Sequence, residues 1–295
     1  MPYDRRMADG VRTIGIATRE GTFTADVAGP ADGPLVLLLH GFPQTRHTWR
    51  DVVPDLAAAE CCAVAVDQRG YSPGVRPAGV DAYATDRLVA DVLELADALG
   101  AERFHVVGHD WGGQVAWLTA ARHAERLLSL TVLSRPHPAA FARSFRLDAE
   151  QATRSRHHRR MSPEMTDGWA ADGGAGLRRL LRNAGVPDPD VDAYLSVLGE
   201  RAALDAAMNW YRAAAASGGL TAAETPDVTV PTTYVWGTAD QTVGRVAAEL
   251  TAQHVSGPYR FVQIEGAGHF LTDDQDAATT RHEIVAQVSA PAPGF

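Results

Sequence analysis

Three residues of this chain have types and settings that could make and break a covalent bond. Asp110 lies in Gly108-His-Asp110-Trp-Gly112-Gly113, Asp240 in Trp236-Gly-Thr-Ala-Asp240-Gln241, and His269 in Gly266-Ala-Gly-His269-Phe270. An apolar run, Phe104 to Val107, precedes Asp110, and a helical pattern from Gln114 to Arg122 follows it. That predicts a strand, a sharp turn and a helix, with Asp110 raised at the tip and the flanking glycines leaving room that a Cβ would fill. A carboxylate so placed can attack carbon and form an ester with the protein. Singly, each residue has a plainer reading: Asp110 as a helix N-cap, Asp240 as a capping aspartate, His269 as a loop histidine. Together they make a chemical set. Water must cleave the ester, so His269 would take its proton while Asp240 holds the imidazole. The negative charge that then develops on an Asp110 oxygen needs backbone N–H donors, for which Trp111 and Phe42 are placed, the latter in the turn His40-Gly41-Phe42-Pro43.

These residues need a scaffold that brings strand ends together. Arg12-to-Ala17 and Gly21-to-Val27 read as an antiparallel hairpin at a sheet edge. Leu35–Leu39, Cys62–Val66, Phe104–Val107 and Leu128–Leu133 are the continuous apolar runs of strands covered on both faces. Helical periodicity covers 82–99. From about Arg135 to Asp227 only helical patterns occur, over 149–160, 176–183, 190–198 and 202–216, parted by turn signals such as Asp172-Gly-Gly174. Ser134-Arg-Pro-His-Pro138 reads as the hinge into this stretch. Strands return at Thr232–Trp236 and Arg260–Ile264, with helices over 245–254 and from about Asp273. Alternating strands and helices predict a parallel sheet with right-handed crossovers. The expected division is a core of 1–134 and 228–295 with an all-helical insertion, 135–227, after the sixth strand. Open sheets of this kind bind ligands at the carboxyl ends of their strands, where all three residues fall.

Composition sets the bounds. Of 295 residues, 45% are hydrophobic and 21% charged, an ordinary globular balance. A net charge of −9 argues against nucleic acid as a partner. Basic side chains other than histidine are all arginine, which fits a GC-rich bacterial gene. The first dozen residues lack an apolar signal core, and no apolar run approaches membrane-spanning length, so the expected compartment is the cytoplasm. The adjacent Cys61 and Cys62 read as buried thiols. No metal-ligand spacing, dinucleotide loop or phosphate loop appears, so no cofactor and no metal are expected. The expected partners are a small apolar substrate and water, with a homodimer left open.

His40-Gly-Phe-Pro43, Asp67-Gln-Arg-Gly70-Tyr-Ser72, Gly108-His-Asp-Trp-Gly-Gly113, Gly237-Thr-Ala-Asp240 and Gly266-Ala-Gly-His269 together resemble the α/β-hydrolase superfamily. The likeness, over about residues 12–288, is to its aspartate-nucleophile branch of epoxide hydrolases and haloalkane dehalogenases. It implies an eight-stranded, mostly parallel sheet with a helical cap, and a triad of Asp110, Asp240 and His269. Epoxide hydrolases of this branch donate a proton or hydrogen bond to the opening ring from two cap tyrosines. Asn209-Trp-Tyr211-Arg212 resembles the motif of one, which makes Tyr211 the expected donor. The first cap helix, where the other should fall, reads Arg154-Ser-Arg-His157-His158-Arg-Arg160, with histidine in place of tyrosine. Tyr194 is the remaining cap tyrosine. His40, Trp169, Trp210 and His157 are the expected substrate contacts. Halide release is the alternative chemistry, with Trp111 and a cap tryptophan, Trp169 or Trp210, as N–H donors. A non-hydrolytic ligand binder of the same fold is the alternative from another class.

Overall fold

The structure, a computed structural model, describes residues 10–155, 163–217, 224–273 and 277–290. Eight strands form one sheet: β1 (Arg12–Thr18), β2 (Gly21–Ala28), β3 (Leu35–Leu39), β4 (Cys62–Val66), β5 (Phe104–His109), β6 (Leu127–Leu133), β7 (Thr232–Gly237) and β8 (Tyr259–Ile264). Their spatial order is β1-β2-β4-β3-β5-β6-β7-β8. The edge hairpin is antiparallel and β2 meets β4 antiparallel; the remaining pairs are parallel. Every residue of β3, β4, β5 and β7 is buried, as continuous apolar runs demand of strands sandwiched between helices. Each fully buried leucine of β3 contributes about 2 kcal/mol relative to exposure.

The order 4-3-5-6 around the centre requires the chain to leave β3 in one direction and β5 in the other. That reversal opens a crevice at the carboxyl ends of β3 and β5, where the loop after β3 and the turn after β5 meet. Helices α1 (Val52–Ala58), α2 (Thr85–Ala98) and α3 (Trp111–Arg122) make the first crossovers. The predicted helix over 82–99 is a 3₁₀ turn, Val80–Tyr83, and then α2, because Ala84 takes an extended backbone between them.

Between β6 and β7 the described residues carry α4 (Pro138–Leu147), α5 (Ala149–Arg154), α6 (Pro163–Asn183), α7 (Asp188–Leu198) and α8 (Arg201–Ala216), and no strand. Helix α4 has no counterpart in the sequence pattern, where Pro138 reads as part of a hinge; proline is well placed at the first helical position. The turn signal at Asp172-Gly-Gly174 holds. Those residues have left-handed φ of 51°, 65° and 87° and break α6 into two. The predicted helix over 149–160 ends at Arg154; residues 156–160 lie outside the described residues. The chain closes with α9 (Arg245–Leu250), a 3₁₀ turn over Thr251–His254, and α10 (Ala277–Ser289).

Candidate active site

Asp110 sits between the last residue of β5 and the first of α3, with φ 50° and ψ −114°. Such a conformation is rare for a residue with a side chain and persists only where the surroundings enforce it. Here they do. Asp110 N–H donates to Leu133 O at 3.3 Å, and Asp110 O accepts from Gln114 N–H at 2.9 Å. The elbow is also jammed against the end of β3. A Cβ on Gly112 would lie 2.1 Å from Leu39 O, and one on Gly41 would lie 2.4 Å from Asp110 Cβ. Glycine at both places is what lets the loop and the elbow touch. The contact delivers Phe42 N–H, which donates to Asp110 Oδ1 at 3.1 Å. Trp111, the first residue of α3, has an N–H that the helix itself cannot satisfy.

His269 faces the other carboxylate oxygen, its Nε2 3.7 Å from Asp110 Oδ2. That is a charge contact, longer than a hydrogen bond. On its far side, His269 Nδ1 is 3.0 Å from Asp240 Oδ2 and 3.2 Å from Oδ1. Asp240 is aimed by the loop after β7: its Oδ1 accepts from the backbone N–H groups of Thr242, at 2.6 Å, and Val243, at 3.0 Å. The insertion braces this loop, since Arg154 of α5 donates to Asp240 O at 2.9 Å. The carbonyl of His269 is pinned by two donors, His109 Nε2 at 2.8 Å and Ser134 Oγ at 3.0 Å. Neither donor was assigned a role from sequence. Ser134 sits at φ 53°, a strained backbone just past β6 whose payoff is that hydroxyl contact.

The charges interlock. Burial opposes ionisation of Asp110, but the contact and charge of His269, with lesser help from His109 and Arg135, hold it below the usual carboxylate range. Burial likewise opposes the His269 cation, yet the Asp240 carboxylate first, and then Asp110, lift it to about 10. At neutral pH His269 is therefore an imidazolium between two carboxylates. His109, desolvated and beside that cation, is pushed down to about 4 and stays neutral.

Aromatic rings crowd around Asp110. Tyr211 of α8 meets Trp111 edge-on at 5.0 Å and Phe42 edge-on at 5.8 Å. Burial first, and then the Asp110 charge, raise the Tyr211 phenol well above its ordinary range. Trp169 of α6 stacks on Phe42 at 5.6 Å. Two expected substrate contacts, His40 and Trp210, come out differently. His40 is 1% exposed, with Nδ1 3.0 Å from Gly41 O, Nε2 accepting from Gln68 N–H at 3.3 Å, and the ring edge-on to Tyr71. Both nitrogens brace backbone, so His40 shapes the loop and is not a substrate contact. Trp210, 2% exposed, donates its indole N–H to Arg69 O at 3.0 Å and fastens α8 to the core. It is neither a free wall of the cleft nor a halide donor. His157 lies outside the described residues. Tyr194 is also accounted for: its hydroxyl is held by Asp273, so it is not a second donor. Among the described residues, no group of His, Cys, Asp and Glu is arranged to hold a metal ion.

Relatives of known kind can now be set beside this geometry. The family model for the alpha/beta hydrolase fold matches residues 34–151. Epoxide hydrolase A of Mycobacterium tuberculosis is 32% identical over 293 residues, covering 86% of this chain and 90% of that protein. The chain belongs to the α/β-hydrolase superfamily, beside the epoxide hydrolases. The AB hydrolase superfamily protein YfhM of Bacillus subtilis is 33% identical over 278 residues, covering 91% of this chain and 95% of its own. Among solved structures, an epoxide hydrolase of Bacillus megaterium in complex with an inhibitor is 26% identical, with a TM-score of 0.82 over 91% of this chain and 98% of its own. The fold and the enzyme class of this α/β hydrolase thus agree with what its strand-end motifs imply.

Proposed function

We propose that this enzyme opens epoxides to vicinal diols through a covalent ester on Asp110. The observation that carries the reading is the position of one carboxylate: Oδ1 on Phe42 N–H, Oδ2 facing His269 at 3.7 Å. Asp110 attacks a ring carbon, the C–O bond breaks, and the ring oxygen takes a proton from Tyr211, leaving a hydroxyalkyl ester. Esterification removes the Asp110 charge that helped hold the proton on His269. The imidazolium can then give up that proton to restore the Tyr211 phenol, and the neutral imidazole deprotonates a water, which attacks the ester carbonyl. Phe42 N–H and Trp111 N–H face the tetrahedral oxyanion, Asp240 steadies the imidazolium that reforms, and the ester collapses to diol and free carboxylate. No cofactor enters this scheme. The relatives named epoxide hydrolase support epoxides as the substrate class. The commitment of the Trp210 indole to Arg69 O weighs against halide release.

In this reading residues 135–227 are a cap over a core of 1–134 and 228–295. Trp169 contributes an apolar wall and His157 or His158, on sequence grounds, the second hydrogen bond to the ring oxygen. No helix among the described residues is long and apolar enough to cross a membrane. The two unbridged, buried cysteines support a reducing cytoplasm, as in a bacterial cell. The test is turnover of a panel of aryl and alkyl epoxides and of haloalkanes, with Asp110→Ala as the blank. Diol from epoxides is expected; alcohol and halide ion from haloalkanes, with epoxides untouched, would overturn the reading.

A further inference from the structure

The loop that carries Phe42 and the turn that carries His269 approach each other from opposite ends of the chain. A buried carboxylate lies where they meet. Asp273, four residues past His269, has a fully buried side chain and closes its own turn by donating its N–H to Phe270 O at 2.8 Å. Its Oδ2 accepts from Gln44 Nε2 at 2.7 Å. Gln44 is two residues past Phe42, and its N–H donates to Gly41 O at 3.1 Å, so the side chain that reaches Asp273 belongs to the turn presenting the Phe42 N–H. The same amide donates to Thr48 Oγ1 at 2.8 Å and Thr272 Oγ1 at 3.3 Å. The helical insertion joins from above. Tyr194 of α7 places its hydroxyl 2.8 Å from Asp273 Oδ1 and 2.6 Å from Oδ2. Arg50 donates to Asp273 Oδ1 at 2.9 Å with one nitrogen and to Asp190 Oδ2 of α7 at 2.9 Å with another.

One carboxylate therefore holds three parts together: the Phe42 loop, the histidine turn and the helical insertion. A buried anion is held only where charge and donors compensate its desolvation, and Arg50, Tyr194 and Gln44 supply them. Burial raises the carboxyl, while the bonds from Tyr194, Arg50 and Gln44 favour its charged form. Nothing in the covalent scheme uses these groups. Yet ester cleavage needs the Phe42 N–H and the His269 imidazole in register around one carbonyl, and small errors in such placement are amplified in rate.

We propose that Asp273 is a positioning residue that fixes the Phe42 loop and the His269 turn relative to each other, with Tyr194 as the arm that ties this register to a seated cap. The proposal deepens the epoxide-hydrolase reading and rests on it. Asp273→Asn keeps the shape but presents an amide to donors that expect a carboxylate. Gln44→Leu cuts the core arm, and Tyr194→Phe cuts the cap arm. Val288→Ala, a truncation in α10 away from these loops, controls for simple loss of stability.

The full-length protein is mixed with styrene oxide, and the Asp110 ester is followed by quench and mass spectrometry. Asp273→Asn and Gln44→Leu are expected to slow ester hydrolysis about tenfold relative to alkylation, so that ester accumulates. Tyr194→Phe is expected to raise KM at least threefold with a smaller change in hydrolysis. In Val288→Ala the two steps should keep their wild-type ratio. A second readout does not need turnover: the downfield proton of His269 Nδ1, bonded to Asp240, should shift or broaden in Asp273→Asn and Gln44→Leu but not in Val288→Ala. Wild-type partitioning and an unchanged proton signal in the Asp273 and Gln44 variants would overturn the proposal. If wild-type protein turns over no epoxide, the substrate reading fails, and the proton signal alone decides the positioning role. Should Asp273→Asn not fold, Gln44→Leu reads the same bond from its other end.

Discussion

Removing the charge of Asp110 should lower the pKa of His269 substantially, and the size of the fall can be worked out. In the free enzyme desolvation opposes the imidazolium, but Asp240 and Asp110 outweigh it and lift His269 to about 10. The Asp110 share comes from an oxygen 3.7 Å from His269 Nε2. With an effective dielectric of about 20, Coulomb's law at that separation gives about 4.5 kcal/mol. At about 1.4 kcal/mol per unit, this is about three pK units. The two side chains are 11% and 10% exposed, which leaves some solvent screening. Allowing for it, Asp110→Ala should bring His269 down by about two units. The perturbation mimics the ester, which also has no charge at that oxygen. It therefore tests whether His269 becomes a usable base only after alkylation, which in the proposed scheme would make the two half-reactions follow in order. The assay is a pH titration of ¹⁵N-histidine-labelled wild type and Asp110→Ala by NMR, with His269 assigned from His269→Gln. If His269 titrates within about half a unit of wild type in the variant, the coupling is absent and the argument for ordered activation fails.

Other outcomes follow from the same geometry. Tyr211→Phe should lower kcat/KM for epoxides about 100-fold through loss of the proton donor while leaving thermal stability near wild type; steady-state kinetics and a melting curve decide it. Gly41→Ala should abolish turnover and destabilise the fold by about 2 kcal/mol in urea titration, because the new Cβ would meet Asp110 Cβ at 2.4 Å. The folded pKa of His269 is raised, to about 10, so its contribution to stability is full below about pH 6.5 and is lost as pH rises towards 10. Urea unfolding across that window should show a steeper decline for wild type than for His269→Gln; parallel curves would contradict it.

How much of this was legible beforehand depends on whether the signal was local. The parallel strands were, because Leu35–Leu39 and Cys62–Val66 are apolar without interruption, the mark of strands buried on both faces. The elbow was, because Gly108 and Gly112 stand where a Cβ would collide with backbone. Side-chain direction was not. His40 and Trp210 sit in the right motifs, yet they turn their polar atoms to Gln68 and Arg69, and no spacing rule reveals that. The α4 helix was hidden because its first residue is a proline beside another proline-bearing turn. The Asp273 node joins residues 79 and 229 positions apart, Tyr194 and Gln44, and pairings of that reach leave no periodic trace in one sequence. The polar triplet Thr272-Asp-Asp274 was the only clue, and it reads as the start of the last helix.

In the proposed mechanism Asp110 itself forms a bond to the substrate. A single turnover in ¹⁸O-water, with enzyme in excess over epoxide, tests it most directly. The diol should carry only ordinary oxygen, supplied by Asp110, while peptide mass spectrometry finds one ¹⁸O in the Asp110 carboxylate. A labelled diol from that first turnover, with unlabelled Asp110, would mean that water attacks the epoxide directly, and the covalent mechanism would be wrong.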